Sequence, residues 1–181
     1  MPTLRIAKIN ENEPHFLTLT VIEWINIFTK AEYFKAIAES LEFCRKNKGL
    51  SLYEYVIMTN HLHIIGAAKE PEVLSNIIRD FKRNTTKEIL KLLERDNRKY
   101  ILRLIKHSFQ GKKGNEMQVW QRENYPQVIV SEEFYLKQVN YIHNNPVKAG
   151  YVEKPEDWLY SSARNHILTD SSIIKLNDSF Y

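Results

Sequence analysis

Two histidines one residue apart, His61 and His63, lie in the most apolar run of the chain, YEYVIMTNHLHIIG (Tyr53–Gly66). That run is rich in β-branched and aromatic residues and ends on a glycine, which is the composition of a strand. On extended backbone, side chains two apart leave the same face, so both imidazoles are presented together while Leu62 and Ile64 point the other way. Thr59-Asn60 is either a tight hairpin turn, since Asn tolerates positive φ, or the middle of one continuous strand. Both alternatives put the imidazoles side by side. Imidazole is a frequent ligand for divalent metals, and two on a rigid strand supply two thirds of a three-ligand site. The competing reading is a pair of polar residues on a half-buried sheet. With six histidines in the chain, an H-x-H pair arises by coincidence often enough that the triplet needs partners elsewhere.

Those partners are sought late in the chain. Ser131-Glu132-Glu133 opens a helix with a Ser N-cap and acids in its first turn, and Pro146 is expected to stop it at Asn144 or Asn145. Tyr141 and Asn145 are four apart on this helix and share a face. If that face meets the histidine strand, two imidazoles, one carboxamide oxygen and one phenol converge. Two His and an amide oxygen suit Mg²⁺ or Mn²⁺ with positions open for a substrate phosphate. A phenol of ordinary pKa (~10) is a weak nucleophile. A cation on the phosphate's non-bridging oxygens would help it attack, giving a covalent phosphotyrosine that stores the energy of the broken phosphodiester.

The elements that must hold these groups follow from periodicity. His15–Ile22 (HFLTLTVI) predicts a first strand, and Ala31–Lys46 a helix closed by Asn47-Lys48-Gly49. Pro71–Leu93 predicts a second helix or helix pair, with Val73, Leu74, Ile77, Ile78 and Phe81 as its apolar stripe. Asp96–Lys106 is a further short helix, Gln110–Asn115 a turn or loop, and Met117–Gln121 and Pro126–Val130 two short strands. The order β-α-β-β-α-β-β-α is an α+β sandwich around a mostly antiparallel sheet. A length of 181 residues suits one sizeable core. The expected organisation is one domain over 1–181, with 151–181 a C-terminal extension packed on it or trailing from it.

Composition excludes several classes. No apolar run approaches the ~20 residues of a membrane span, and the N-terminal MPTLRIAKINENEP lacks the apolar core of a secretory signal. The single cysteine, Cys44, falls in a helical pattern as a small core residue and suits a reducing cytoplasm. The net charge of +4 hides an asymmetry. Arg79–Lys113 carries roughly twelve Lys/Arg against four Asp/Glu, leaving the remainder acidic. Such a block is either a solvated helix face or a contact for a polyanion. His143, two past Tyr141, is expected on the helix surface. His15, His107 and His166 are taken as structural, Trp120 as core, and Tyr125 and Tyr160 as buried. Ser161-Ser162 either contacts phosphate or caps a helix.

HLH within MTNHLHII, followed by YIHNNPVKAG (Tyr141–Gly150), resembles the IS200/IS605-type transposases of the HUH, single-tyrosine class, and more closely their REP-associated tyrosine transposase branch. TLTVIEW, RDFKRNTTKEI, VWQRENY and WLYSSARN extend the resemblance over most of the chain. The resemblance implies a ferredoxin-like sandwich, a central antiparallel sheet flanked by helices, with the histidine strand central. It implies His61, His63 and Asn145 as metal ligands, although many members carry Gln at the last position, and Tyr141 as nucleophile. The cofactor would be Mg²⁺ or Mn²⁺. The substrate would be single-stranded DNA with imperfect hairpins, cut and rejoined without ATP by a cytoplasmic, nucleoid-associated enzyme. Given such a substrate, Arg79, Lys82, Arg83 and Lys87 become phosphate contacts. A homodimer with shared active sites is one expected assembly, a monomer the other. A non-catalytic or domesticated relative that binds DNA or RNA hairpins is the alternative function.

Overall fold

In HFLTLT the alternation sends Leu17 and Leu19 to one side and Phe16, Thr18 and Thr20 to the other, and this segment is β1 (His15–Thr20). A computed structural model describes residues 13–108 and 117–178. After β1 come α1 (Ala31–Asn47), β2 (Leu50–Ile57), β3 (His61–Ala68), α2 (Leu74–Arg95), α3 (Lys99–His107), β4 (Gln127–Val128), α4 (Glu132–Lys148) and the short α5 (Ala163–Ile167). The strands form one antiparallel sheet in the order β2-β3-β1-β4, so β3 is interior. This is the ferredoxin-like arrangement of a β-α-β-β-α-β chain, as the resemblance implied. Leu17, Leu19, Leu62 and Ile64 point into a core shared with Ile37 and Leu41 of α1 and Ile77, Phe81 and Ile89 of α2. On the opposite face Phe16, Val56 and Ile65 pack with Tyr135 and Ile142 of α4.

β2 would misplace half its side chains if its alternation were strict. Leu52 pairs with Gly66 and Glu54 with Ile65, so Tyr53 is an extra residue, a β-bulge. The bulge keeps Leu50, Leu52, Tyr55 and Ile57 in the α1/α2 core while turning Glu54 and Val56 toward α4. Gly66 is required there, because a Cβ at that position would sit 2.8 Å from the Ser51 carbonyl oxygen.

Of the two readings of Thr59-Asn60 the turn holds, with Met58 N–H donating to the His61 carbonyl (2.8 Å), so β2 and β3 are a hairpin. Other expectations are corrected. Pro71–Leu93 becomes one helix that starts at Leu74. Met117–Gln121 is not a strand: it contributes a single bridge from Trp120 to Val21, and Pro126–Val130 shrinks to the two residues of β4. The turn expected at Gln110–Asn115 lies outside the described residues.

The largest difference is at Pro146, which does not stop α4. Its missing N–H costs only the bond to the Ile142 carbonyl, and the helix continues to Lys148. Gly150, at φ +74°, then closes it. Gly150 N–H donates to the Val147 carbonyl (2.9 Å) and Tyr151 N–H to the Pro146 carbonyl (3.0 Å), a Schellman closure.

Beyond α4 the chain returns along the free edge of β2. Val56 bridges Ser161, Ile57 N–H donates to the Tyr160 carbonyl and Ser162 N–H to the Tyr55 carbonyl (both 2.9 Å). At the centre is Glu54, 1% exposed. Its carboxylate accepts from Tyr135 Oη (3.0 Å), Ser162 Oγ (2.6 Å), His143 Nε2 and His166 Nε2 (both 2.9 Å). Burial alone would raise this carboxyl, but the bonds from both imidazoles and Ser162 outweigh it and hold it at about 2. The bond to Glu54 raises His166 above its ordinary 6.5, against a smaller effect of burial.

Glu54→Gln removes the charge while keeping the shape and leaves donors from two segments, α4 and the C-terminal stretch, poorly matched. Breaking a buried pair costs about 3–5 kcal/mol, and because His166 is half exposed we expect about 3 kcal/mol in urea unfolding. The two shifts also fix a pH dependence. A carboxyl held near 2 contributes stability above 4.5 that is lost as the pH falls toward 2. An imidazole raised above 6.5 contributes stability below 6.5 that is lost as the pH rises through its folded pKa. The difference in Tm between the wild-type chain and His166→Gln should therefore be widest between pH 4.5 and 6.5 and narrow on the alkaline side.

Candidate active site

β1 and β3 pair so that Thr18 faces His63 and Thr20 faces His61, which puts both imidazoles on the sheet face that α4 covers. Their rings are 4.8 Å apart between centroids. Each has its Nδ1 occupied: His61 Nδ1 donates to Asn60 Oδ1 (2.7 Å), and His63 Nδ1 is 2.9 Å from Thr18 Oγ1. The Asn60 amide oxygen can only accept, so His61 carries its proton on Nδ1, whereas the Thr18 hydroxyl can donate or accept and holds the His63 ring in place. His63 is 4% exposed, and its Nε2 has no hydrogen-bond partner. Desolvation pushes His63 down to about 3, with a smaller push from His61, and desolvation likewise lowers His61 against a hydrogen bond to Asn145. Both are therefore neutral imidazoles, the form that binds metal.

α4 delivers the remaining groups. Ser131 caps it, its Oγ accepting from Phe134 N–H (3.2 Å), as the sequence predicted. Tyr135, Ile142 and His143 face β2, while Tyr141 and Asn145 face β3. The Tyr141 ring lies edge-on to His63, 5.1 Å between centroids, and to Phe16 at 6.0 Å. Tyr141 is 38% exposed, so the phenol is both supported and accessible. The four residues selected by type and spacing thus lie together, all from one chain. An orphaned, buried Nε2 beside a second neutral imidazole and a carboxamide is a donor set that fits a divalent cation.

Sequence reasoning missed three contributors. Thr18 and Asn60 hold the imidazoles, and in the sequence Asn60 reads only as a turn residue. Lys148 places its ammonium 5.7 Å from the Tyr141 ring centroid. The signal was its place seven residues, two helical turns, after Tyr141, hidden by ending the helix at Pro146.

His143 is not a surface residue: with Glu54 and His166 it forms the group described above, whose three ligand atoms lie within 4.8 Å of one another. By donor type that group too can hold a metal, but its atoms are already bonded to each other. Tyr125, expected to be buried, is 46% exposed with φ +45°, whereas Tyr160 stacks on Phe34 (4.6 Å) and Trp120 is core.

The basic residues line a groove of about 600 Å³ between α2 and residues 117–124, with Arg79, Lys82, Arg83, Lys87 and Arg122 on its walls. They are not equivalent. Lys82 is turned inward, its ammonium donating to the carbonyls of Gln121 (2.6 Å) and Arg122 (3.4 Å), and burial lowers it to about 8. Arg79 and Arg83 flank Asp80 and remain exposed, as does Lys87. The groove reaches Asn124, whose carbonyl accepts from Thr18 N–H (2.8 Å), the residue whose hydroxyl holds His63. Among the described residues no helix is long and apolar enough to cross a membrane.

Comparison with known proteins bears on the family and the fold. The family model described as "Transposase IS200 like" matches residues 15–145, from the first residue of β1 to Asn145. A Haemophilus influenzae protein provisionally assigned as a REP-associated tyrosine transposase is 42% identical over 50 residues, 28% of each chain. The fold matches a REP-associated tyrosine transposase solved with a REP hairpin, at TM-score 0.65 and 20% identity over 99% of this chain and 100% of that one. With a family model covering well over half its length, the chain belongs to the IS200-like transposase family.

Proposed function

We propose that this protein cuts and rejoins single-stranded DNA at hairpin-bearing ends, with Tyr141 as nucleophile and His61, His63 and Asn145 as the holders of Mg²⁺ or Mn²⁺. The observation that carries this reading is the partnerless, buried Nε2 of His63 beside the half-open Tyr141 ring. When bound, the cation withdraws charge from the non-bridging oxygens of the scissile phosphate. Tyr141 Oη attacks phosphorus, the phenolic proton leaves to solvent, and the bond to the 3′ oxygen breaks, that oxygen taking a proton. The 5′ end remains on the enzyme as a phosphotyrosine, and attack by another 3′-hydroxyl reverses the sequence and joins strands. Lys148 sets a positive charge beside the phenol, where an incoming phosphate must approach. Asn60 keeps the Nδ1 proton on His61, and Thr18 holds the His63 ring in place. Because Tyr141 sits beside the histidines of its own chain, one copy contains the whole constellation.

The hairpin is assigned to the basic groove, where Arg79, Arg83, Lys87 and Arg122 offer phosphate contacts and Lys82 braces the wall. A relative of the same fold was solved with a REP hairpin, which makes that class of DNA the first substrate to try. The second reading, a hairpin-binding relative without catalysis, draws on the same groove, which is lined without any residue of the histidine–tyrosine site.

Incubation of the protein with a labelled hairpin substrate and Mn²⁺ should give an adduct stable to denaturation. Tyr141→Phe should abolish it while leaving hairpin affinity within about twofold. Persistence of the adduct in that variant would remove Tyr141 from its role, and binding without any cleavage would favour the second reading. In the groove, Lys87→Ala should weaken binding to all hairpins alike. Its plot of log affinity against log salt should become shallower by about 0.7–0.9, the effect of one phosphate contact.

A further inference from the structure

The turn that follows β1 is strained where it meets the histidines. Glu23 and Trp24 adopt φ +51° and +54° in succession. Left-handed backbone is disfavoured for any L residue with a bulky side chain, and two in a row are rare. Glycine or asparagine would relieve the strain, yet the turn carries an indole. Local strain of this kind gathers at sites of function.

The strain is tied to the imidazole pair. Asn60 holds both sides: its Nδ2 donates to the Trp24 carbonyl (3.1 Å) and its Oδ1 accepts from His61 Nδ1 (2.7 Å). The indole then lies edge-on to His61, 6.0 Å between ring centroids. Despite that contact, Trp24 is 58% exposed. The other two tryptophans are used differently. Trp120 is 2% exposed in the core, and Trp158 stacks on Tyr151 (5.3 Å). Leaving a large aromatic surface in water forfeits the gain from burying it. Holding it there by a strained turn, one ring away from His61, calls for an occupant that brings a flat face of its own.

We propose that Trp24 is the stacking platform for an unpaired base of the nucleotide next to the scissile phosphate. The inference rests on the reading of His61, His63 and Tyr141 as a site that cuts single-stranded DNA. A phosphate seated at the imidazoles carries its own nucleoside within reach of a ring that touches His61. Stacking on tryptophan accepts every base, because each has a π-face, so this contact orients the strand without reading its sequence. Duplex DNA offers no free base face, so the platform also selects for unpaired substrate at the point of cleavage.

The test combines Trp24→Ala and Trp24→Phe with hairpin substrates carrying an abasic residue at single positions on either side of the cleavage point. Binding is measured in the Tyr141→Phe background and cleavage with Tyr141 intact. Trp24→Ala should weaken binding by about 5- to 150-fold, the range for loss of one aromatic–base stack, and Trp24→Phe should retain most of it. One abasic position should produce the same loss, and combining it with Trp24→Ala should add nothing further. Tryptophan emission should be quenched by the intact substrate and not by that abasic one. The platform is overturned if the two losses add at every position, or if Trp24→Ala binds like its parent. It is also overturned if Trp24→Ala instead lowers Mn²⁺ affinity while abasic substitutions change nothing, which would make the ring a support for His61. Cleavage by the unmodified chain separates the two levels. If it cuts DNA and the losses still add, only the platform fails, whereas no cleavage of any single strand removes the reading beneath it.

Discussion

The carboxylate of Glu54 is the point on which the rest of the molecule turns. It is buried beside β3 and satisfied by donors from α4 and the C-terminal segment, namely Tyr135, His143, Ser162 and His166. A buried charge this well supplied is costly to disrupt, because each lost donor leaves part of the charge unpaired. Its consequence for the site is rotational. His143 and Tyr135 face β2, and α4 is a single stiff cylinder, so anchoring them there sets the direction in which Tyr141 and Asn145 point. The phenol is thus aimed at His63 by contacts it does not make.

The histidines are fixed by a different means, the antiparallel register of β1 and β3. Thr18 stands opposite His63, within hydrogen-bond reach of Nδ1. A shift of one residue in that register would turn Leu62 toward α4 and both imidazoles into the α1/α2 core. The apolar residues at Leu17, Leu19, Leu62 and Ile64 make such a slip expensive, so the hydrophobic pattern that builds the core also protects the chemistry.

How far all this was legible in the chain follows from the range of each interaction. Same-face placement of His61 and His63, the Ser131 cap and the Tyr141–Asn145 pair are local rules of strand and helix geometry, and each holds in the structure. The bulge at Tyr53 is not local. It depends on Gly66 across the hairpin, so the alternation in LSLYEYVI gave no warning that Glu54 would face α4. His143 was misplaced for the same reason: its neighbours along the helix say nothing about a carboxylate 89 positions earlier. Pro146 misled because a breaker was weighed without the Schellman closure around Gly150 that completes the helix beyond it. Met117–Gln121 reads as strand by composition, yet Lys82 draws the carbonyls of Gln121 and Arg122 toward α2, and Trp120 makes only an isolated bridge to Val21.

That last segment decides how a substrate can reach the site. The groove opens on the α2 side of the sheet, whereas the imidazoles and Tyr141 are on the α4 side. Between them run β1 and residues 117–124, tied by Thr18 to Asn124 and by Gln121 to Thr20. A straight duplex does not reach both faces of the sheet at once. Under the proposed function, a duplex stem followed by a flexible single strand would reach both, the stem against the cations of α2 and the strand passing around the edge of the sheet to the phenol. On the proposed function, the separation of groove and histidine–tyrosine site across two faces suits a substrate that is part paired and part unpaired.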